Sequence, residues 1–207
     1  MRVVIVDYGM GNVFSVARAL QFCGHTTELT ANDARIQSAD AVILPGVGAI
    51  GAAMLELKQR GLDASLRRFA ERERPLLGIC LGMQALATMS EEFGTHACLN
   101  LIPGQIKKIQ PEHDGMKVPN IGWYGMHGSP VLGWQGTRFD GLAENAETYF
   151  VHSYQFIPDN AADAIACYRW GNQSITAAVQ RNNILGTQFH PEKSGPVGLK
   201  LLEHFFR

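Results

Sequence analysis

A cysteine stands between two glycines in Gly78-Ile79-Cys80-Leu81-Gly82, at the end of the apolar run Leu76 to Ile79 and ahead of Met83, Leu86 and Ala87. This is the layout of a nucleophile elbow. The strand-to-helix turn is so tight that side chains two positions either side of the nucleophile would meet backbone, a conflict glycine avoids. The sulfur is expected to stand exposed, and the start of the following helix favours the thiolate that attacks a carbonyl carbon. Taken alone, the pattern fits a buried structural cysteine between packing glycines better, so a second signal is needed.

That signal is Gln188-Phe189-His190-Pro191-Glu192. Gly186 to Phe189 reads as a strand, and Pro191 keeps His190 extended because proline disfavours helix in the preceding residue. Residues at i and i+2 of an extended segment share a face, so Glu192 can fix the imidazole tautomer and steady the imidazolium. Cys80, His190 and Glu192 then outline a triad for acyl transfer from an amide. A lone His-Glu pair is ordinarily strand-end polarity; its coincidence with Cys80 makes that reading the weaker one. His25, His96, His113, His127 and His204 belong to no such constellation.

The elements that must hold these residues alternate. Val3 to Asp7 is an apolar run ended by Tyr8-Gly9-Met10-Gly11-Asn12, after which Val13, Val16, Ala17 and Leu20 fall at helical spacing. Ala41 to Leu44 before Pro45-Gly46-Val47-Gly48, and Leu76 to Ile79 before Cys80, repeat the theme. Such βαβ units imply a parallel sheet buried on both faces, with ligands at the strand carboxyl ends. Lys117 to Trp123, Thr148 to Tyr154, Ala164 to Trp170 and Thr176 to Gln180 read as antiparallel strands added to it, and Val197 to Phe206 as a closing helix.

The expectation is one domain over residues 1–207. With 46% hydrophobic and 18% charged residues the chain can bury a core. A net charge of -1 without Lys or Arg runs argues against nucleic acid, and no stretch approaches a membrane span. Cys23, Cys80, Cys98 and Cys167 form no C-x-x-C, which argues against zinc or dithiol chemistry and for a reducing cytoplasm.

Gly78-Ile79-Cys80-Leu81-Gly82-Met83-Gln84 with Gln188-Phe189-His190-Pro191-Glu192 resembles the class I glutamine amidotransferase family. Asp7 to Asn12, Leu44 to Gly48, Tyr149 to Tyr154 and Pro191 to Ser194 extend the likeness to its branch of glutaminase subunits of imidazole glycerol phosphate synthases. The resemblance implies a three-layer α/β fold with a mainly parallel central sheet and added antiparallel strands. It implies Cys80 as nucleophile, His190 as general base and acid, and Glu192 as the orienting carboxylate. Val47 and Leu81 would supply the oxyanion hole, and Gly48, Gln84, His152, Ser153 and Tyr154 the glutamine contacts. No cofactor or metal is called for. The partner implied is a cyclase subunit, docked as a heterodimer on Met10, Asn12, Trp123, Tyr149 and Lys193. It would use the ammonia to make imidazole glycerol phosphate and aminoimidazole carboxamide ribotide in histidine biosynthesis.

One segment departs from the family's Pro-His-Met-Gly-Trp-Asn: here it is Pro119-Asn120-Ile121-Gly122-Trp123-Tyr124. The departure bears on which synthase is fed. The competing readings are a paralogous glutaminase serving another amidotransferase, for instance one acting on a sugar nucleotide, a stand-alone γ-glutamyl cysteine hydrolase, and a catalytically idle regulatory subunit.

Overall fold

The computed structural model describes residues 1–129 and 133–206. The first half follows the alternation read in the sequence. Strand β1 (Arg2–Val6) leads into α1 (Val13–Phe22), β2 (Thr26–Thr30) into the short α2 (Asp33–Gln37), and β3 (Ala41–Gly46) into α3 (Ile50–Gln59) and α4 (Leu62–Ala70). Strand β4 (Leu76–Cys80) then enters α5 (Leu81–Ala85) with no intervening residue.

The second half is mostly strand. Two-residue strands β5 (Met89–Ser90) and β6 (His96–Ala97) precede β7 (Gly104–Lys108), β8 (Asn120–Gly128), β9 (Ala146–His152) and β10 (Tyr154–Pro158). After a 3-10 turn at Ala161–Asp163 come β11 (Ala164–Trp170), β12 (Gln173–Arg181) and β13 (Ile184–Thr187). A second 3-10 turn, Pro191–Lys193, and α6 (Gly195–Phe205) follow.

Among the described residues, nine strands form the central sheet in the order β2-β1-β3-β4-β13-β12-β11-β8-β9. Its first five members pair in parallel, and the pairings from β13 outward to β9 are antiparallel. The late strands are thus added to the sheet as expected. Strand β10 is not: it joins β7, β5 and β6 in a separate four-stranded sheet. The two-residue pieces β5 and β6 carry no alternation to read, and the five-residue β7 and β10 join them only through a pairing of residues far apart in the chain, Tyr154 with Lys108, which is why this sheet was invisible in the sequence.

Alternate residues of the parallel strands feed opposite faces, the period-2 rule at work. Val3, Ile5, Ala41 and Ile43 meet α1 and α6 through Val16, Leu20, Leu202 and Phe205. Val4, Val6, Val42 and Leu44 meet the other helical layer through Ile36, Leu57, Leu66 and Phe69. Strands β3 and β4 are buried along their whole length. Burial of each such side chain contributes ~1.5–3 kcal/mol, so the strand ends that carry Gly46 and Cys80 are held by the most deeply covered part of the molecule.

Element ends differ from the sequence reading in places. The expected strand from Lys117 starts only at Asn120 and runs on to Gly128, Thr148 to Tyr154 is broken at Ser153, and the strand before His190 ends at Thr187 rather than Phe189. The four cysteines are free, and no helix among the described residues is long and apolar enough to cross a membrane.

Candidate active site

The centre of the site is set by a collision. At Gly82 a Cβ would fall 1.8 Å from the Leu44 carbonyl oxygen, and at Gly78 one would fall 2.6 Å from the Gly82 carbonyl oxygen. These approaches are to backbone, which cannot swing away, so both glycines are required. Helix α5 starts hard against β3 and β4, and Cys80 turns the corner at φ 55, ψ -110. A non-glycine residue there stores ~1–3 kcal/mol of strain, which persists only because its surroundings over-determine it.

The sulfur does not stand proud of the surface, contrary to the sequence reading. Cys80 is 8% exposed, because the loop after β3 and residues 151–154 build walls around the elbow. It lies on a cavity of about 360 Å³ that Val47, Gly48, Leu81, Gln84 and His190 also line. His152, Ser153 and Tyr154 form its other wall.

His190 and Glu192 meet as expected, Nδ1 to Oε1 at 2.9 Å, but by a different backbone route. Pro191–Lys193 is a 3-10 turn, so the carboxylate is folded back toward the ring rather than carried along an extended strand. The turn is clamped: the His190 N–H donates to the Tyr149 carbonyl, the Ser194 hydroxyl donates to the His190 carbonyl at 2.7 Å, and the Tyr149 N–H donates to that hydroxyl oxygen at 3.0 Å. The Glu192 side chain is 1% exposed, and its Oε2 has no partner among the described residues.

Burial is the largest effect on His190 and disfavours its charge. The hydrogen bonds to Cys80 and Glu192, with the negative charge on both, outweigh it and raise the imidazole to about 10. A charge that is buried but paired on both sides is the stable form.

His152 is in the opposite state. Its Nδ1 lies 2.8 Å from the Tyr154 carbonyl oxygen and its Nε2 2.8 Å from the Tyr168 hydroxyl. Burial pushes it down to about 4, against the pull of the Tyr154 carbonyl and with help from nearby His190. Both ring nitrogens are therefore used inside the protein, which leaves neither for a hydrogen bond to a ligand at the wall His152 helps to form. Gln84, which lines the cavity, donates from Nε2 to the Tyr154 carbonyl at 3.2 Å and to Gln188 Oε1 at 3.0 Å.

Three cavity residues were missed in the sequence: Glu92, Pro119 and Val151. Glu92 is held by the Ile50 N–H, which donates to Oε2 at 2.6 Å; nothing in its spacing signals this. Gln188 was also missed as a functional residue. Its Nε2 donates to Cys80 Sγ at 3.7 Å, and its place two residues before His190 in a strand-like run was the available clue.

Of the expected docking residues, Trp123 is 51% exposed and its ring lies 5.9 Å from that of half-buried Tyr149. Lys193 is exposed beside the turn that carries Glu192. Met10 reaches Gly48: a Cβ built there would lie 3.2 Å from its Cε. Asn12 is half-buried ahead of α1. Tyr8, at the start of the same loop, is buried and donates its hydroxyl hydrogen to the Pro45 carbonyl at 3.0 Å, so it braces the loop from behind.

A family model described as glutamine amidotransferase class-I matches residues 4–207. Among curated relatives, the imidazole glycerol phosphate synthase subunit HisH of Herpetosiphon aurantiacus is 43% identical over 97% of this chain and 91% of its own. The HisH subunit of Moorella thermoacetica is 43% identical over 98% of this chain and 93% of its own. Among solved structures, PurLQS from Thermotoga maritima superposes with a TM-score of 0.73 at 17% identity, covering 99% of this chain and 96% of that one.

Two outcomes test the geometry. Gly82→Ala lowers the unfolding free energy in urea by ~4 kcal/mol or more, whereas Gly24→Ala, with nothing within 4 Å of its Cβ, costs only the ~1–2 kcal/mol of a left-handed alanine. Near-equal losses would refute the clash argument.

In the folded chain His190 stays protonated through neutral pH and titrates near 10, while His152 stays neutral until about 4, followed by histidine NMR. The stability His190 contributes is complete below its ordinary 6.5 and is lost as pH rises through about 10; that of His152 is present above 6.5 and is lost as pH falls through about 4. Titration of His190 near 6.5 would break the coupling to Cys80.

Proposed function

The chain belongs to the class I glutamine amidotransferase family, and from that premise we propose that it acts as one domain, the glutaminase subunit of an imidazole glycerol phosphate synthase. It is a glutamine amidotransferase. The observation that carries the mechanism is the placing of buried His190 between Cys80 and Glu192, at a cavity of about 360 Å³, large enough to admit a whole amino acid.

The reacting form is the Cys80 thiolate beside a protonated His190, the form in which a cysteine attacks a carbonyl carbon. The thiolate attacks the side-chain carbonyl carbon of glutamine, and the carbonyl electrons move onto oxygen. Backbone N–H groups of Leu81 and Val47 receive that oxyanion. The place is suited to it, because a Cβ on Gly46 would lie 2.9 Å from the Gly82 nitrogen, so loop and helix start are in contact. When the tetrahedral adduct collapses, the carbon–nitrogen bond breaks, His190 gives its proton to the departing nitrogen, and ammonia leaves a thioester.

Acylation removes the charge on sulfur, and with it part of what held the proton on His190. The imidazole, now neutral, takes a proton from water, and hydroxide displaces the thiolate to yield glutamate. Gly48, Gln84, Ser153 and Tyr154 hold the substrate, and the Glu92 carboxylate at the same cavity complements its ammonium group. His152 contributes by shaping the wall.

Free ammonia would protonate in water and lose nucleophilicity, so it passes within a heterodimer to a cyclase subunit that makes imidazole glycerol phosphate. Trp123, Tyr149, Met10, Asn12 and Lys193 form the docking face. Support comes from relatives that carry the name of that synthase and from the exposed Trp123 next to the strand whose Tyr149 carbonyl receives the His190 N–H.

Cys80→Ala in the complex abolishes synthesis driven by glutamine while synthesis from added ammonium salt survives. Loss of both would assign Cys80 to folding or docking instead. His190→Ala lowers glutamine-driven turnover ~10²-fold or more. For the docking face, Trp123→Ala weakens cyclase binding by ~2 kcal/mol or more, and Lys193→Ala by less with a larger effect on association rate. Calorimetric affinities unchanged in both variants would remove this face from the interface.

A further inference from the structure

The wall of the glutamine cavity is tied to a buried relay that the mechanism does not use. Tyr124 donates its hydroxyl hydrogen to Asn120 Oδ1 at 2.6 Å, and Asn120 Nδ2 donates to the Tyr168 hydroxyl oxygen at 2.7 Å. The Tyr168 hydroxyl lies 2.8 Å from His152 Nε2, and His152 Nδ1 lies 2.8 Å from the Tyr154 carbonyl. That carbonyl also receives Gln84, which leads through Gln188 to the sulfur of Cys80.

The direction of every proton in this relay is fixed by one group that can only accept. A carbonyl oxygen has no hydrogen to give, so His152 carries its proton on Nδ1 and its Nε2 must accept. The Tyr168 hydroxyl therefore donates to Nε2, and its oxygen is left to accept from Asn120. The Asn120 amide must then present nitrogen to Tyr168 and oxygen to Tyr124. No member can rotate without stranding a neighbour: Asn120 is 2% exposed, His152 6% and Tyr168 0%. An unpaired buried polar group costs more than the bond contributed.

From this we infer that Asn120, Tyr124 and Tyr168 are positioning residues for glutamine binding. Acting together, they anchor the His152 ring at Nε2, so that its Nδ1–H is held on the Tyr154 carbonyl and, through that carbonyl, the Gln84 amide stays at the cavity wall. The rings reinforce the alignment: Tyr168 stacks 4.3 Å from Phe150 and 4.8 Å from Tyr124. The inference rests on the glutaminase reading above.

Three variants of the full chain, each assayed in the complex with its cyclase, test it. Tyr168→Phe keeps the ring but removes the donor to His152. It raises the KM for glutamine roughly fivefold, as loss of one hydrogen bond would, with kcat and ammonia-driven synthesis little changed. Asn120→Asp keeps shape but replaces a donor by an acceptor, drawing the Tyr168 hydrogen away from His152, and raises KM at least as much. Tyr124→Phe cuts only the far end and has the smallest effect. In parallel, nitrogen-15 NMR of labelled histidine reads the ring: protonated Nδ1 and bare Nε2 at His152 in the parent chain, with the Nε2 resonance displaced in Tyr168→Phe because it no longer accepts a hydrogen bond.

A parent chain with the proton on Nε2, or an unchanged KM in Tyr168→Phe and Asn120→Asp, would overturn the relay. Should the parent complex release no ammonia from glutamine, the glutaminase reading falls and takes this role with it, a result distinct from active parent and variants of equal KM.

Discussion

Everything in the site depends on how closely α5 is allowed to approach β3. The Leu44 carbonyl and the Gly82 Cα are so near that only a hydrogen fits between them, and this contact dictates the backbone of the residue before the helix. Cys80 is bent into a conformation it would not adopt alone, and the surrounding strands, buried along their length, supply the stability that keeps it there. The same approach brings the loop after β3 alongside the first N–H groups of α5. The bend at Cys80 and the approach of the β3 loop to the first N–H groups of α5 are thus two consequences of one backbone contact, which is why glycine is needed at positions 46, 78 and 82.

The second constraint is electrostatic, and it separates two buried histidines. His190 sits between Cys80 and Glu192 and holds its proton; His152 faces a carbonyl and a hydroxyl and stays neutral. Burial acts on both in the same sense, so the difference comes entirely from partners. The separation is useful: two imidazolium ions so near one another would repel, and a neutral His152 leaves His190 as the group in the cavity wall that exchanges a proton. Glu192, with one oxygen on His190 and the other unpartnered among the described residues, makes the ion pair costly to dismantle.

The chemistry was easier to read in the sequence than the scaffold. Cys80, His190 and Glu192 announce themselves because a turn with glycine on both sides and a proline after histidine are local demands written in consecutive residues. The parallel strands are legible for the same reason, as unbroken apolar runs. What failed was whatever depends on partners far apart in the chain. The exposure of Cys80 is decided by residues 151–154, the small sheet by two-residue pieces that mean nothing until β7 lies beside them, and the entry of Glu92 by the Ile50 N–H. His152 shows the limit clearly: its place at the cavity was expected, but that both its nitrogens are consumed internally could not be read without Tyr168, which lies 16 residues away.

Strand β8 joins these themes. Along it Ile121 and Trp123 point outward and are 57% and 51% exposed, while Asn120 is buried and Tyr124 half-buried on the other face. Alternation alone therefore puts an exposed apolar face and the start of the buried relay back to back on one strand. Asn120 and Tyr124 are also the two polar positions at which this segment departs from its family's pattern, and here they bond to each other. A change at either position alone would leave a buried amide or hydroxyl without its partner, so the two departures make physical sense only as a pair. Both side chains lie on the inward face of β8, away from its exposed residues Ile121 and Trp123.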